Sequence, residues 1–113
     1  DLNVDHQITS KAVATACRPI KNQTVKSILF FEILSSSEWN ISIKNKSFKP
    51  NYFVDITKSI NFKLKALKHY KREMRKWPHP RSIEGVTSLA KVRGSMSGFK
   101  AAESFIMVRE TVD

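Results

Sequence analysis

The residues best suited to chemistry stand at the start of the chain, in Leu2-Asn3-Val4-Asp5-His6. An Asp directly before a His, at the entry of a helix, can place a metal-binding imidazole on the helix N-terminus. The plainer reading is a helix entry in which Asp5 caps free backbone N–H groups and His6 is a solvated first-turn residue. The other histidines are His69 and His79. A catalytic zinc usually takes three protein ligands and keeps a fourth position open, and these three histidines show no local ligand spacing. His69 lies among lysines, and His79 stands between two prolines. Cys17 sits beside alanines, where a small buried residue is expected rather than a nucleophile. No Gly-rich phosphate loop and no G-x-S-x-G elbow occurs.

The elements that must position these residues can be read in order. Ile8, Ala12, Val13 and Ala16 form an apolar stripe, which predicts a helix over 8–18, stopped by Pro19. Val25 to Leu34 reads as a strand, and its continuous apolar run Ile28 to Phe31 suggests burial on both faces. Glu32 interrupts that run, either at a site or at the exit to solvent, with Ser35-Ser36-Ser37 beyond it. Trp39, Ile41 and Ile43 alternate with polar residues, as in a half-exposed strand. Tyr52 to Ile56 predicts another strand, with Thr57 as a cap for the next helix. That helix is expected over Ser59 to Arg75, from the stripe Ile60, Leu64, Leu67 and Met74. Ser82 is a good N-cap for a further helix reaching Gly94, with Glu84 in its first turn, and Ala102 to Arg109 reads as a last strand. The helix–strand order predicts an α/β fold with a parallel sheet, whose ligands bind beyond the C-terminal strand ends.

The chain has 113 residues, enough for one modest domain, and 41% of them are hydrophobic. It begins with Asp1 and carries a candidate motif in its first six residues, which suggests a piece of a longer protein. No apolar run approaches the roughly 20 residues of a membrane span. No signal-peptide pattern is present, and the lone Cys17 excludes an intrachain disulfide framework, so a reducing, cytoplasmic compartment is expected. Twenty Lys and Arg against ten Asp and Glu give a net charge of +10. That balance permits nucleic-acid or anionic-membrane contact. Solvated faces, the run Lys44 to Lys49 and the polar side of the Ser59–Arg75 helix, are the default reading. No motif supports a specific nucleic-acid partner.

Taken together, particular residues resemble the PIG-L (LmbE-like) N-acetylglucosaminyl deacetylases. Asp1-Leu2-Asn3-Val4-Asp5-His6, Ala12-Val13 and Arg18-Pro19 resemble that family's third metal-binding motif. The similarity continues through Phe53-Val54-Asp55-Ile56-Thr57, Lys63, Ala66-Leu67, Trp77-Pro78-His79-Pro80-Arg81-Ser82, Leu89-Ala90, Arg93-Gly94 and Ala102-Glu103-Ser104-Phe105. These points cover the chain almost end to end, and their order and spacing are more specific than any one of them. The resemblance implies a zinc-dependent hydrolase that removes acetyl from an N-acetylglucosaminyl conjugate. It also implies a Rossmann-like α/β fold, of which this chain would be the C-terminal part: a mostly parallel sheet flanked by helices. His6 would be the remaining zinc ligand. The family's N-terminal His-Pro-Asp-Asp motif, source of two ligands and the general base, does not occur here, and Asn3 stands where many members carry a second histidine. Glu32, Arg81 and Glu103 become candidates for substrate contact, although Arg81 can equally pair with a neighbour and Glu103 with Arg93. Asp5 is a candidate to orient His6. The expected partners are an acetylated amino-sugar substrate and the missing N-terminal half of the domain, and the fragment alone is expected to be inactive. A homo-oligomer stays open, and the alternative is a non-enzymatic basic module for nucleic acid or an anionic membrane surface.

Overall fold

The computed structural model describes residues 1–40 and 47–112. Its elements are α1 (Val4–Ala16), β1 (Ser27–Phe31), β2 (Tyr52–Asp55), α2 (Ile60–Leu67), α3 (Ile83–Ser95) and β3 (Ala102–Glu110). They make an α/β arrangement with a three-stranded sheet in the order β1-β3-β2. β1 and β3 run antiparallel, from Ser27 opposite Glu110 to Phe31 opposite Phe105, with an irregularity between Ile28 and Leu29. This ladder differs from the parallel pairing that the helix–strand order predicts. The chain sorts into two compact units, one of residues 1–49 with 105–113, the other of residues 50–104.

In the first unit, α1 starts earlier than its apolar stripe. Asn3 is the N-cap, and its Oδ1 accepts from the N–H groups of Asp5 and His6. Asp5 is therefore a first-turn residue and not the cap. Its carboxylate still meets the positive end of the helix dipole there. Cys17 is the C-cap and only half-buried. Its carbonyl accepts from the Arg109 guanidinium at 2.6 Å, which joins the end of α1 to β3. The expected stripe on α1 exists, but no residue of the helix is buried, and Ile8 is 60% exposed. β1 is shorter than the expected 25–34 and is not buried on both faces, since Phe31 is 63% exposed. A run of apolar residues specifies a strand, but two-sided burial also needs a layer on each face. Of the expected Trp39–Lys44 strand, Trp39 lies in a turn, while residues 41–46 lie outside the described residues.

The second unit holds the buried core. Ile56, Ala90 and Ala101 pack together, with Ile60 against them. β2 ends in a tight turn, because Asp55 Oδ1 accepts from the Thr57 N–H at 2.8 Å. Thr57 does not cap α2. Its hydroxyl accepts from the Ala101 N–H at 3.4 Å, and the cap position is Ser59, which makes no side-chain cap bond. α2 stops at Leu67 rather than at Arg75. His69 and Tyr70 then bond three residues back, to Ala66 and Leu67, so the last turn tightens. Residues 68–73 offer little apolar surface to bury, and burial carries most helical stability in proteins.

α3 follows the sequence expectation. The Ser82 hydroxyl accepts from the Gly85 N–H at 2.9 Å, Glu84 occupies the first turn, and Ser82 is fully buried. Ser82→Ala should cost about 1–2 kcal/mol, read as a shift in the denaturant midpoint with an unchanged slope.

Asp55 adds a pH term. The Thr57 hydrogen bonds, side chain first and backbone second, hold its carboxyl below the ordinary 3.8. A depressed carboxylate stabilises the fold above its unfolded value and loses that contribution as pH falls through the folded one. Asp55→Asn should therefore flatten the acid limb of the stability curve below about pH 4, with thermal unfolding across that range as the measurement.

Candidate functional site

His6 lies in the first turn of α1, held by the cap below it. Asn3 fixes the start of the helix, and the Asp1 carboxylate folds back over it. Asp1 Oδ1 accepts from the Asn3 N–H at 2.9 Å, and Asp1 Oδ2 lies 2.9 Å from His6 Nδ1. The Gln7 side-chain amide donates to the Asp1 carbonyl at 3.0 Å. The Asp1 side chain is 12% exposed and that of His6 38%. An ionised carboxylate only accepts, so a neutral imidazole in this pair carries its proton on Nδ1. The lone pair is then on Nε2, which has no partner among the described residues. A carboxylate holding the distal ring nitrogen of a histidine is the usual support for an imidazole that binds a metal through the other nitrogen.

The same unit brings the end of β1 to this helix entry. The Leu2 N–H donates to the hydroxyl of buried Ser36 at 3.2 Å. Ser37 turns the chain back by accepting from the Ile33 N–H at 2.8 Å. Glu32 follows the last residue of β1 directly and is half-buried. His6, Glu32 and the serine turn thus belong to one structural unit, at the carboxyl end of β1.

The other expected site residues lie in the second unit and have partners. The Arg81 guanidinium donates to Glu73 Oε2 at 2.6 Å, while the Arg81 backbone N–H donates to His79 Nδ1 at 3.0 Å. His79 Nδ1 is thereby committed to its own loop. Glu103 pairs with Lys63 at 2.5 Å, not with Arg93. Both residues of that pair are more than a third exposed, so it contributes at most about 1 kcal/mol. His69 is exposed beyond the end of α2. No group of three or more His, Cys, Asp or Glu able to hold a metal occurs among the described residues. What the described residues show at this place is His6 with the Asp1 carboxylate on its Nδ1.

Asp1 is the site residue that the sequence reading missed. The signal was present: Asn3 is as good an N-cap as Asp5, and a cap at Asn3 moves Asp5 into the first turn. The residue left to meet the His6 ring is then Asp1, on the far side of the cap. No helix among the described residues is long and apolar enough to cross a membrane. No family model, curated protein or solved structure matches the chain.

Proposed function

We propose that this chain is the C-terminal part of a zinc-dependent N-deacetylase domain that acts on an N-acetylglucosaminyl conjugate, with His6 as one zinc ligand. The observation that supports this most is the Asp1–His6 pair at 2.9 Å, which leaves Nε2 open at a helix entry beside the carboxyl end of a strand. A solvated first-turn histidine would not require a mostly buried carboxylate on its Nδ1.

Zinc, when bound, polarises the amide carbonyl and supplies an acidified water. The chain's own residues do the positioning. His6 presents Nε2, Asp1 fixes the ring's orientation and proton, and Asn3 holds the backbone from which His6 projects. Glu32 is the candidate for substrate contact in the same unit. Glu32, Arg81 and Glu103 all have partners already, which a substrate would have to displace. In this reading the other two ligands and the base lie outside residues 1–113, in the remainder of a Rossmann-like domain in a cytoplasmic enzyme. The antiparallel β1/β3 pair does not match a mostly parallel sheet, so the parallel pairing of such a fold would have to come from strands outside this sheet.

Elemental analysis of the full-length protein should find about one zinc per chain. Acetate should be released from N-acetylglucosaminyl conjugates, while residues 1–113 alone release none. A full-length protein with neither zinc nor acetate release overturns the proposal, as does zinc-dependent deacetylation by residues 1–113 alone.

A further inference from the structure

From Lys58 to Lys76 the chain carries eight Lys and Arg and a single acid, Glu73. Lys63 is tied to Glu103, but Lys65, Lys68, Lys71, Arg72 and Lys76 are exposed, with no ion-pair partner among the described residues. On α2, Ile60, Leu64 and Leu67 are half-buried, as an amphipathic helix requires. Phe62 breaks that pattern. It is 73% exposed, on the outward face with Lys65 and Ala66, one turn further along. Tyr70 and Trp77, in the turns that follow, are 63% and 60% exposed. A protein partner that covered this stretch would have to desolvate several lysines, which is costly without matched acids. An anionic lipid surface takes both components at once. Its headgroups meet the cations, and the aromatic rings enter the interface while the lysine stems lie along it.

We propose that the Lys58–Lys76 stretch docks on an anionic membrane surface, with Phe62, Tyr70 and Trp77 entering the headgroup layer. This stretch lies in the second unit, and its docking does not depend on the chemistry of His6. A bilayer accounts for the exposed rings better than a nucleic acid does. The rings are spread over one short helix and two turns, whereas base stacking uses a continuous platform.

The test is flotation of the full chain with phosphatidylserine-rich vesicles and with phosphatidylcholine vesicles, at physiological salt. Binding should require phosphatidylserine. The triple variant Lys65→Gln, Lys68→Gln, Lys71→Gln should bind about a hundredfold more weakly. Phe62→Ser, which removes an exposed ring and leaves the core intact, should lose about tenfold. Removing the same charge elsewhere, with Lys11→Gln, Lys21→Gln and Lys100→Gln, should change binding less than about threefold. Three outcomes overturn the proposal. One is equal loss in the two triple variants, which reduces the effect to net charge. Another is unchanged binding by Phe62→Ser. The third is a single-stranded oligonucleotide that binds more tightly than the vesicles and strips the protein from them, which assigns the surface to nucleic acid.

Discussion

On the proposed function, His6→Ala should remove both zinc and deacetylase activity from the full-length protein while leaving the fold in place. The imidazole is partly exposed, and its one side-chain hydrogen bond among the described residues is to Asp1. The cap belongs to Asn3, and α1 keeps it. Loss of one of three ligands should reduce zinc content to background, and activity should fall by a factor on the order of a thousand or more. A change in thermal stability of the metal-free protein should stay within about 1 kcal/mol. Unchanged zinc content in His6→Ala would return the residue to an ordinary helix entry.

Gly94→Ala should produce a large loss of stability from a single added methyl group. Gly94 is buried near the end of α3, where the chain folds back so that the N–H groups of Ser97 and Phe99 donate to its carbonyl. A Cβ at this position would lie 2.6 Å from the Phe99 carbonyl oxygen and 2.9 Å from the Ala101 nitrogen. Both are backbone atoms, so no side chain can swing away. The Ala101 segment is part of the small core with Ile56 and Ala90, and displacing it disturbs the packing of that unit. The expected cost is roughly 2–4 kcal/mol. Thermal unfolding should shift down by roughly 10–20 °C. Gly98 is the contrast. Its φ of +79° disfavours a side chain, but a Cβ there would meet nothing. Gly98→Ala should therefore cost only about 1–2 kcal/mol. Equal losses in the two variants would mean that the backbone around Gly94 gives way and that the close contact carries no extra cost.

The parts of this fold that were legible in sequence are those specified by local chemistry. α3 could be read because Ser82 caps it and Glu84 suits the first turn, and both features act within a few residues. β2 and β3 could be read from short β-prone runs between turn residues. What could not be read depends on packing. The stripe predicting a helix over 59–75 counted residues that could face a core, but only α2 has one to face. The run Ile28 to Phe31 suggested burial on both sides, and β1 exposes Phe30 and Phe31. The direction of the β1/β3 pair is set by non-local hydrogen bonds, which no period within either strand encodes. At the site, His6 was legible as a candidate and Asp1 was not. Its contact is made by a chain segment that folds back across a cap, outside any helical spacing.

The most direct measurement is a competitive zinc titration of the full-length protein beside its Asp1→Asn and Asp5→Asn variants. Asp1 holds His6 Nδ1, whereas Asp5 makes no hydrogen bond to that ring among the described residues. Asp1→Asn should weaken zinc binding by about ten- to a hundredfold, as loss of a carboxylate behind a metal-bound histidine does. Asp5→Asn should leave it within about threefold, because the acid at this position serves the helix dipole. The reverse order, or equal affinity in all three proteins, would contradict the assignment of Asp1 and His6 as a metal-binding pair.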